Sequence, residues 1–461
     1  MENPPGPTPH RRQVLLAAAS APPLLAGALT AGAAAQTPAA QTPTAQTPAT
    51  QPPAVGAPPL APSLAPGSIP VSALPDQFDV EPGVHNLENG YWGIMPRPVA
   101  EHYVRQTLFI NRTNSIWARN VLTGGACLSA GGRAAREAIA RQVGAGTDEI
   151  AITRSGAEAL NALLTQYRRL KAGDAVICCD LDYDDMVASL EGLVTRRGVE
   201  LVRFAMPEPA TTANILAAYD AVLTRTPHAR LLLVTQVSNK TGLVTPVRDI
   251  VAMARARGVD TVVDAAHGVA CLDFRIGDLG ADFVGWSVHK WTAAPLGTGA
   301  MYIRRERLQD IDPAPDQPDP DPHDITARTP AGTVDFAAVT TIPVAVDFHF
   351  AVGARAKEQH LRGLRDRWVQ ALRDTPEVEI CVPDDPARYC AITSFRLKGM
   401  ATDAQARALQ KVLLDRHRIH TIWRTGPARG PVIRVTPGLY SRPGDVDALA
   451  AALRAERRMF L

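Results

Sequence analysis

Trp286-Ser287-Val288-His289-Lys290-Trp291 carries an apolar, strand-like run into a serine, a histidine and a lysine. Gly297-Thr298-Gly299 then turns the chain into a second apolar run, residues 300–303. A lysine at the end of a buried strand is costly unless its amine is uncharged or paired. A Schiff base to a carbonyl resolves that cost and requires such a desolvated amine. Taken alone, Lys290 would read as a surface side chain with its ammonium in water. Upstream, Val262-Val263-Asp264-Ala265-Ala266-His267-Gly268 puts an aspartate at the C-terminal tip of another apolar run, the end of a parallel strand where ligands gather. An ionised carboxylate there can keep an aromatic ring nitrogen protonated and make the ring an electron sink. Taken singly, Asp264 could equally cap a helix.

The elements that would position these residues alternate. Strands are predicted over 149–153, 175–177, 199–203, 230–234, 258–264 and 281–286. Helical stretches fall over 157–170, 186–197 and 250–257, the last closed by Gly258 at a C-cap position. Strands separated by helices argue for an α/β fold with a largely parallel sheet covered on both faces. From about residue 346 the pattern changes. A helix over 354–374 carries Leu361, Leu364, Trp368 and Leu372 on one face, and strand, helix, strand and helix follow over 391–397, 403–417, 432–436 and 443–457. This predicts a smaller α+β domain. The Asp-Pro-rich stretch 310–324 reads as a solvated surface excursion.

With 48 Lys plus Arg against 46 Asp plus Glu in 461 residues, the net charge of +2 excludes a strongly basic nucleic-acid binder. At the N-terminus, Arg11-Arg12 precede an Ala-rich apolar run ending at Ala33-Ala34-Ala35. That is the layout of a twin-arginine export signal over 1–35, with a periplasmic or extracellular destination and no stable membrane association after processing; the rival, a permanent anchor over 14–35, is disfavoured by Pro22-Pro23 and by a run of mostly alanine. Residues 36–75 follow as a Pro-, Thr-, Gln- and Ala-rich linker predicted to be disordered, with folding beginning near Asp79. Six cysteines lack any CxxC spacing, so no metal site is expected. Cys178-Cys179 read as buried packing residues, and no disulfide is expected to be essential.

These segments resemble the class V aminotransferases, the fold-type I enzymes that use pyridoxal 5'-phosphate, and their wording is most similar to the isopenicillin-N epimerase-like branch. The resemblance covers about residues 87–440 and implies a large domain over 107–345 with a mainly parallel, seven-stranded-type sheet. It also implies a small domain over 346–461 and an N-terminal segment, 76–106, packed on it. Lys290 would hold the cofactor as a Schiff base, with Asp264 and His267 beside it. Thr153-Arg154-Ser155-Gly156-Ala157-Glu158 resembles the turn whose backbone N–H groups at Gly156 and Ala157 cradle the phosphate, completed by Ser287 and His289. Tyr183 corresponds to the ring that stacks on the pyridine, and Asn239 to the residue aimed at its phenolic oxygen. Gly332-Thr333-Val334-Asp335 resembles the loop by which a neighbouring subunit's threonine, Thr333 here, reaches the phosphate, which implies a homodimer with shared active sites. Arg434 resembles the family's carboxylate-binding arginine, and Asn89 and Tyr91 lie in the segment that roofs the substrate.

The resemblance implies an enzyme acting at Cα of an amino acid or its derivative, by transamination or epimerisation. C–S bond cleavage is the alternative, and an idle scaffold of the same fold a third. Desulfurases place a reactive cysteine between the positions of His417 and Arg434, and this chain has none after Cys390, which disfavours a persulfide route.

Overall fold

Seven strands form the central sheet of the computed structural model, which describes residues 64–120, 127–317 and 319–461. They are β1 (Ile150–Thr153), β2 (Ala175–Cys179), β3 (Glu200–Phe204), β4 (Ala229–Thr235), β5 (Asp260–Asp264), β6 (Phe283–Ser287) and β7 (Gly299–Ile303). Their order across the sheet is β1-β7-β6-β5-β4-β2-β3. Pairing is parallel from β6 through β3, and β7 runs antiparallel to both its neighbours. Every residue of β2, β6 and β7 is buried, as a sheet covered on both faces requires. Alternation sorts the side chains. Ala175, Ile177 and Cys179 face one core and Val176 and Cys178 the other. Cys178 and Cys179 therefore point apart, and all six cysteines are free.

The second of these faces is covered by α3 (Gly156–Thr165) and α4 (Asp184–Arg197), the first by α2 (Leu128–Val143), α5 (Thr212–Arg225), α6 (Val247–Arg255) and α7 (Phe336–Val352). α1 (Arg97–Thr113) packs on α7. Because α7 is buried nearly all round, it has no polar stripe and no helical period to read from the sequence. The domain boundary predicted at residue 346 therefore falls inside this helix. Among the described residues no single helix is long and apolar enough to cross a membrane.

The smaller domain is a four-stranded antiparallel sheet of β8 (Val378–Ile380), β9 (Thr393–Leu397), β10 (Ile422–Arg424) and β11 (Val432–Val435), in the order β10-β11-β9-β8. Against it pack α8 (Ala354–Ala371), α9 (Asp403–His417) and α10 (Pro443–Glu456), through Trp368, Leu409 and Leu449 among others. The N-terminal segment joins this domain. His85–Asn86 pairs in parallel with Ile419–His420, and Leu87 is fully buried in the same core.

Three expectations need correction. Packing begins earlier than Asp79. Gly67 N–H and Ile69 N–H donate to the carbonyls of Phe350 and Ala351 at 3.0 and 2.9 Å, and Leu74 is wholly buried. The linker's last dozen residues contain Leu64, Ile69 and Leu74, apolar enough to dock once proline has set the backbone extended. The export signal expected over 1–35 and the rest of the expected linker lie outside the described residues. Second, the 310–324 loop is pinned as well as exposed. Arg328, itself buried, donates to the carbonyls of Leu308, Ile311, Asp321 and Asp324. Third, the helix predicted over 157–170 stops at Thr165, and Arg197 of α4 takes up the carbonyls of Thr165 and Tyr167 just beyond it.

His349 on α7 is buried with its Nδ1 unpartnered, and burial together with nearby Lys357 pulls its pKa down to about 3. An unfolded histidine titrates near 6.5, so between these values the unfolded chain binds a proton that the fold refuses, and stability falls with pH. His349→Leu removes this dependence. Relative to the parent, the variant should gain about 1.4 kcal/mol per pH unit as urea-unfolding free energies are followed from pH 6 to pH 5. A constant difference would mean that His349 is already charged in the fold.

Candidate active site

The parallel register places Asp264, the last residue of β5, opposite Gly285 of β6, so the chain leaves β6 towards Lys290 beside that carboxylate. A cavity of about 460 Å³ opens there, within the size range of small-molecule sites. Of the residues singled out above, Gly156, Ala157, Tyr183, Asn239, Asp264, His267, Ser287, His289, Lys290, Arg434 and Tyr91 line it. Two do not. Asn89 is buried and borders a separate small cavity, and its N–H donates to Thr436 O at 3.0 Å. Thr333 sits exposed on its loop, outside this chain's cavity.

One wall suits an anion. α3 begins at Gly156, capped by Ser155, whose Oγ accepts from Glu158 N–H at 3.1 Å. Gly156 N–H donates to Ser287 Oγ at 3.2 Å. A Cβ on Gly156 would lie 2.7 Å from that oxygen and 2.8 Å from Ser287 N, so β6 can approach the helix end only against a glycine. Glu158, the acidic residue of the first turn, is turned onto Arg154 instead of into the cavity. His289 donates from Nδ1 to Thr298 O at 2.7 Å, because a carbonyl can only accept. Burial holds this histidine's pKa down at about 4.

On the opposite side stands the lysine. Lys290 Nζ is 3.0 Å from His267 Nε2, and burial pulls its pKa down to about 8 against the pull of Asp264. Asp264 Oδ1 is held by Ala266 N–H at 2.8 Å, and burial raises its pKa. Deeper still, Asp182 accepts from Thr235 Oγ1 and Cys179 N–H, and burial pushes it up to about 6. Tyr183 caps the approach, its hydroxyl donating to Asp185 at 2.8 Å.

Arginines furnish the third wall. Arg434 donates from Nη1 to Asn239 O at 2.8 Å and from Nη2 to Glu88, which is also buried. Arg424 stands two strand positions away across the β10–β11 ladder, also lining the cavity, with its Nε buried and unpartnered. Neither Glu88 nor Arg424 figured in the sequence reading. Arg424 had a signal: in Ile422-Trp423-Arg424 the tryptophan packs into the small-domain core, so strand alternation sends its neighbours to the other face. Glu88 had none, since its partner lies 346 residues away.

The residues present fit pyridoxal 5'-phosphate. They supply a helix N-terminus for the phosphate, a strand-end carboxylate for the ring nitrogen and an amine of lowered pKa for the carbonyl. Asn239 Oδ1, buried with no partner, is an orphan that such a ligand would engage.

The buried Glu88–Arg434 pair generates a stability prediction. Removing one partner strands the other charge, so Glu88→Leu or Arg434→Met alone should cost about 3–5 kcal/mol in urea unfolding, and the double variant distinctly less. Additive losses would show that the two charges do not meet.

The class V aminotransferase family profile matches residues 99–448 of this chain. Isopenicillin N epimerase of Streptomyces clavuligerus is 32% identical over 338 residues, covering 70% of this chain and 83% of that protein. A probable cysteine desulfurase of Vibrio cholerae is 26% identical, covering 69% and 81%. Among solved structures, a lysine variant of the lyase C-DES with glycine covalently linked to its PLP cofactor superposes with a TM-score of 0.72 at 19% identity, covering 82% of this chain and 98% of that one. With its fold-type I sheet and the lysine, aspartate and arginines gathered at that sheet's carboxyl edge, the chain belongs to the class V aminotransferase family, whose cofactor is pyridoxal 5'-phosphate.

Proposed function

We propose that the protein acts at Cα of an amino acid or amino-acid derivative, as an epimerase or aminotransferase. The observation that carries this reading is the Lys290 amine, pKa lowered, in a cavity that also holds Asp264 and two arginines. When bound, the cofactor supplies a carbonyl for Lys290 and an electron sink for charge developing at Cα. The chain's own residues do the rest. Asp264, fixed by Ala266 N–H, keeps a carboxylate at the ring nitrogen. Arg434, oriented by Glu88 and Asn239 O, and Arg424, whose buried Nε has no partner among the described residues, would present two guanidiniums to the substrate's carboxylate. That grip would aim the Cα–H bond at Lys290, whose amine would take the proton as general base.

Similarity to an isopenicillin N epimerase favours epimerisation over transamination. C–S cleavage is the second reading, favoured by similarity to a cysteine desulfurase. The absence of any cysteine after Cys390 argues against a persulfide-forming version. Exposed Tyr91, Trp92, Val104, Leu108 and Leu296 support a homodimer in which Thr333 serves the neighbouring subunit's site. Arg11-Arg12 and the apolar run after them support twin-arginine export.

Incubation with a panel of amino acids in deuterated water tests the reading. Deuterium should enter Cα of a true substrate. The opposite enantiomer then marks an epimerase, a keto acid an aminotransferase, and pyruvate with a released thiol a lyase. Lys290→Ala should abolish exchange, and Arg434→Ala should raise KM and suppress exchange together. No exchange with any amino acid would favour the scaffold.

Asp264→Asn keeps a hydrogen bond but loses the charge, so turnover should fall by about 100-fold or more while phosphate contacts retain the cofactor. Comparing cofactor content by absorbance with turnover checks this. Near-normal turnover would mean that the ring is not an electron sink.

A further inference from the structure

Trp291, the residue after the lysine, lies outside the cavity and is buried, yet its indole Nε1 is 3.2 Å from His267 Nδ1. An indole N–H can only donate, so Nδ1 must present its lone pair. His267 is wholly enclosed among cations on three other segments, Lys290, Arg434 of β11 and Arg424 of β10, and both burial and these charges oppose its protonation. A neutral imidazole with a bare Nδ1 carries its proton on Nε2. Nε2 is the atom 3.0 Å from Lys290 Nζ. The chain of nitrogens therefore has one consistent direction: indole N–H to Nδ1, Nε2–H to Nζ, with the amine accepting through its lone pair. An ammonium at Lys290 donating to Nε2 would force the imidazole proton onto Nδ1, head-on against the indole N–H.

We propose that Trp291 is a positioning residue that, through the tautomer of His267, holds Lys290 as a neutral, lone-pair-accepting amine and aims an N–H donor at the reacting nitrogen. The inference rests on Lys290 being the residue that bonds the cofactor. The turn that carries His267 is itself held in place, since Gly268 N–H and Val269 N–H both return to Ala265 O, at 3.0 and 3.1 Å. The other charged or titratable groups facing the lysine are Asp264, which favours the ammonium, Glu88, which does so more weakly, and His289 on its own segment, which is held neutral. Removing the indole donor while keeping the ring's bulk frees Nδ1 to take the proton, and Nε2 can then accept from an ammonium.

The tautomer is read directly in the unsubstituted full-length protein, without cofactor, by nitrogen NMR of labelled histidine, with His267→Gln assigning the signal. The expected result at pH 9, above the value near 8 to which burial draws the Lys290 amine, is a neutral ring protonated at Nε2. A ring protonated at Nδ1, or a charged one, overturns the proposal. The second readout is the pH dependence of Lys290 capture by pyridoxal 5'-phosphate, trapped with borohydride and counted by mass spectrometry. Trp291→Phe should move the midpoint upward by about one pH unit, equivalent to roughly tenfold less neutral amine at a given pH. In a His267→Gln background, where the amide donates with no tautomer to set, Trp291→Phe should move nothing further. An unmoved midpoint in the single variant, or an equal shift in both backgrounds, refutes the relay. Failure of Lys290 to capture the cofactor in the parent, with the tautomer as expected, would instead refute the functional reading.

Discussion

Burying an amine beside a carboxylate without letting the two collapse into a simple ion pair is the constraint around which this molecule is arranged. Burial alone pulls Lys290 down, and Asp264 alone would pull it back up. The fold settles the contest by giving each a different first partner. Asp264 is turned onto the N–H of Ala266, and Lys290 onto the imidazole of His267. Both arrangements depend on adjacent parallel strands, β5 and β6, ending at the same edge of the sheet. Loss of that register would separate the groups by whole strand spacings.

A second buried charge does for the small domain what the lysine does for the large one. Arg434, on an inner strand of the four-stranded sheet, reaches Glu88 on the N-terminal segment and the carbonyl of Asn239 in the loop after β4. Three stretches remote in sequence thus meet at one guanidinium. Leu87, next to Glu88, is buried in the small-domain core. Gly93, a few residues on, packs so closely that an added Cβ would fall 2.1 Å from Lys290 O. The N-terminal segment is therefore clamped to both the arginine and the lysine, which makes one wall of the cavity from residues that carry no chemistry of their own. Arg424 lines the same cavity beside this pair, and among the described residues its buried Nε has no partner.

Position along the chain was enough to recognise the residues whose role depends on local pattern. Lys290 announces itself because an apolar strand runs straight into it, and the resemblance adds Ser287 and His289 just before it. Asp264 does so because it ends another, whereas Gly156 and Ala157 were marked by the resemblance to the class V aminotransferases. The alternating βα pattern is a consequence of hydrophobic period, and so the largely parallel sheet was legible. So was α9, whose predicted bounds, 403–417, coincide with Asp403–His417. Only the tertiary structure decided the rest, because it depends on distance through space. α7 escaped notice since a helix buried on nearly every side has no period, and the boundary expected at residue 346 falls inside it. Residues 64–75 looked disordered by composition, yet three apolar side chains among the prolines find a surface to dock on. Asn89 was drawn into the site by the resemblance, but it is buried in the turn before Gly90 and borders a separate small cavity, while Gly90 and Tyr91 line the main one. The Glu88–Arg434 pair and the Trp291–His267–Lys290 chain lie in segments the sequence had already marked. Their partners could not be named from it, because a hydrogen bond is specified by geometry that no spacing along the chain contains.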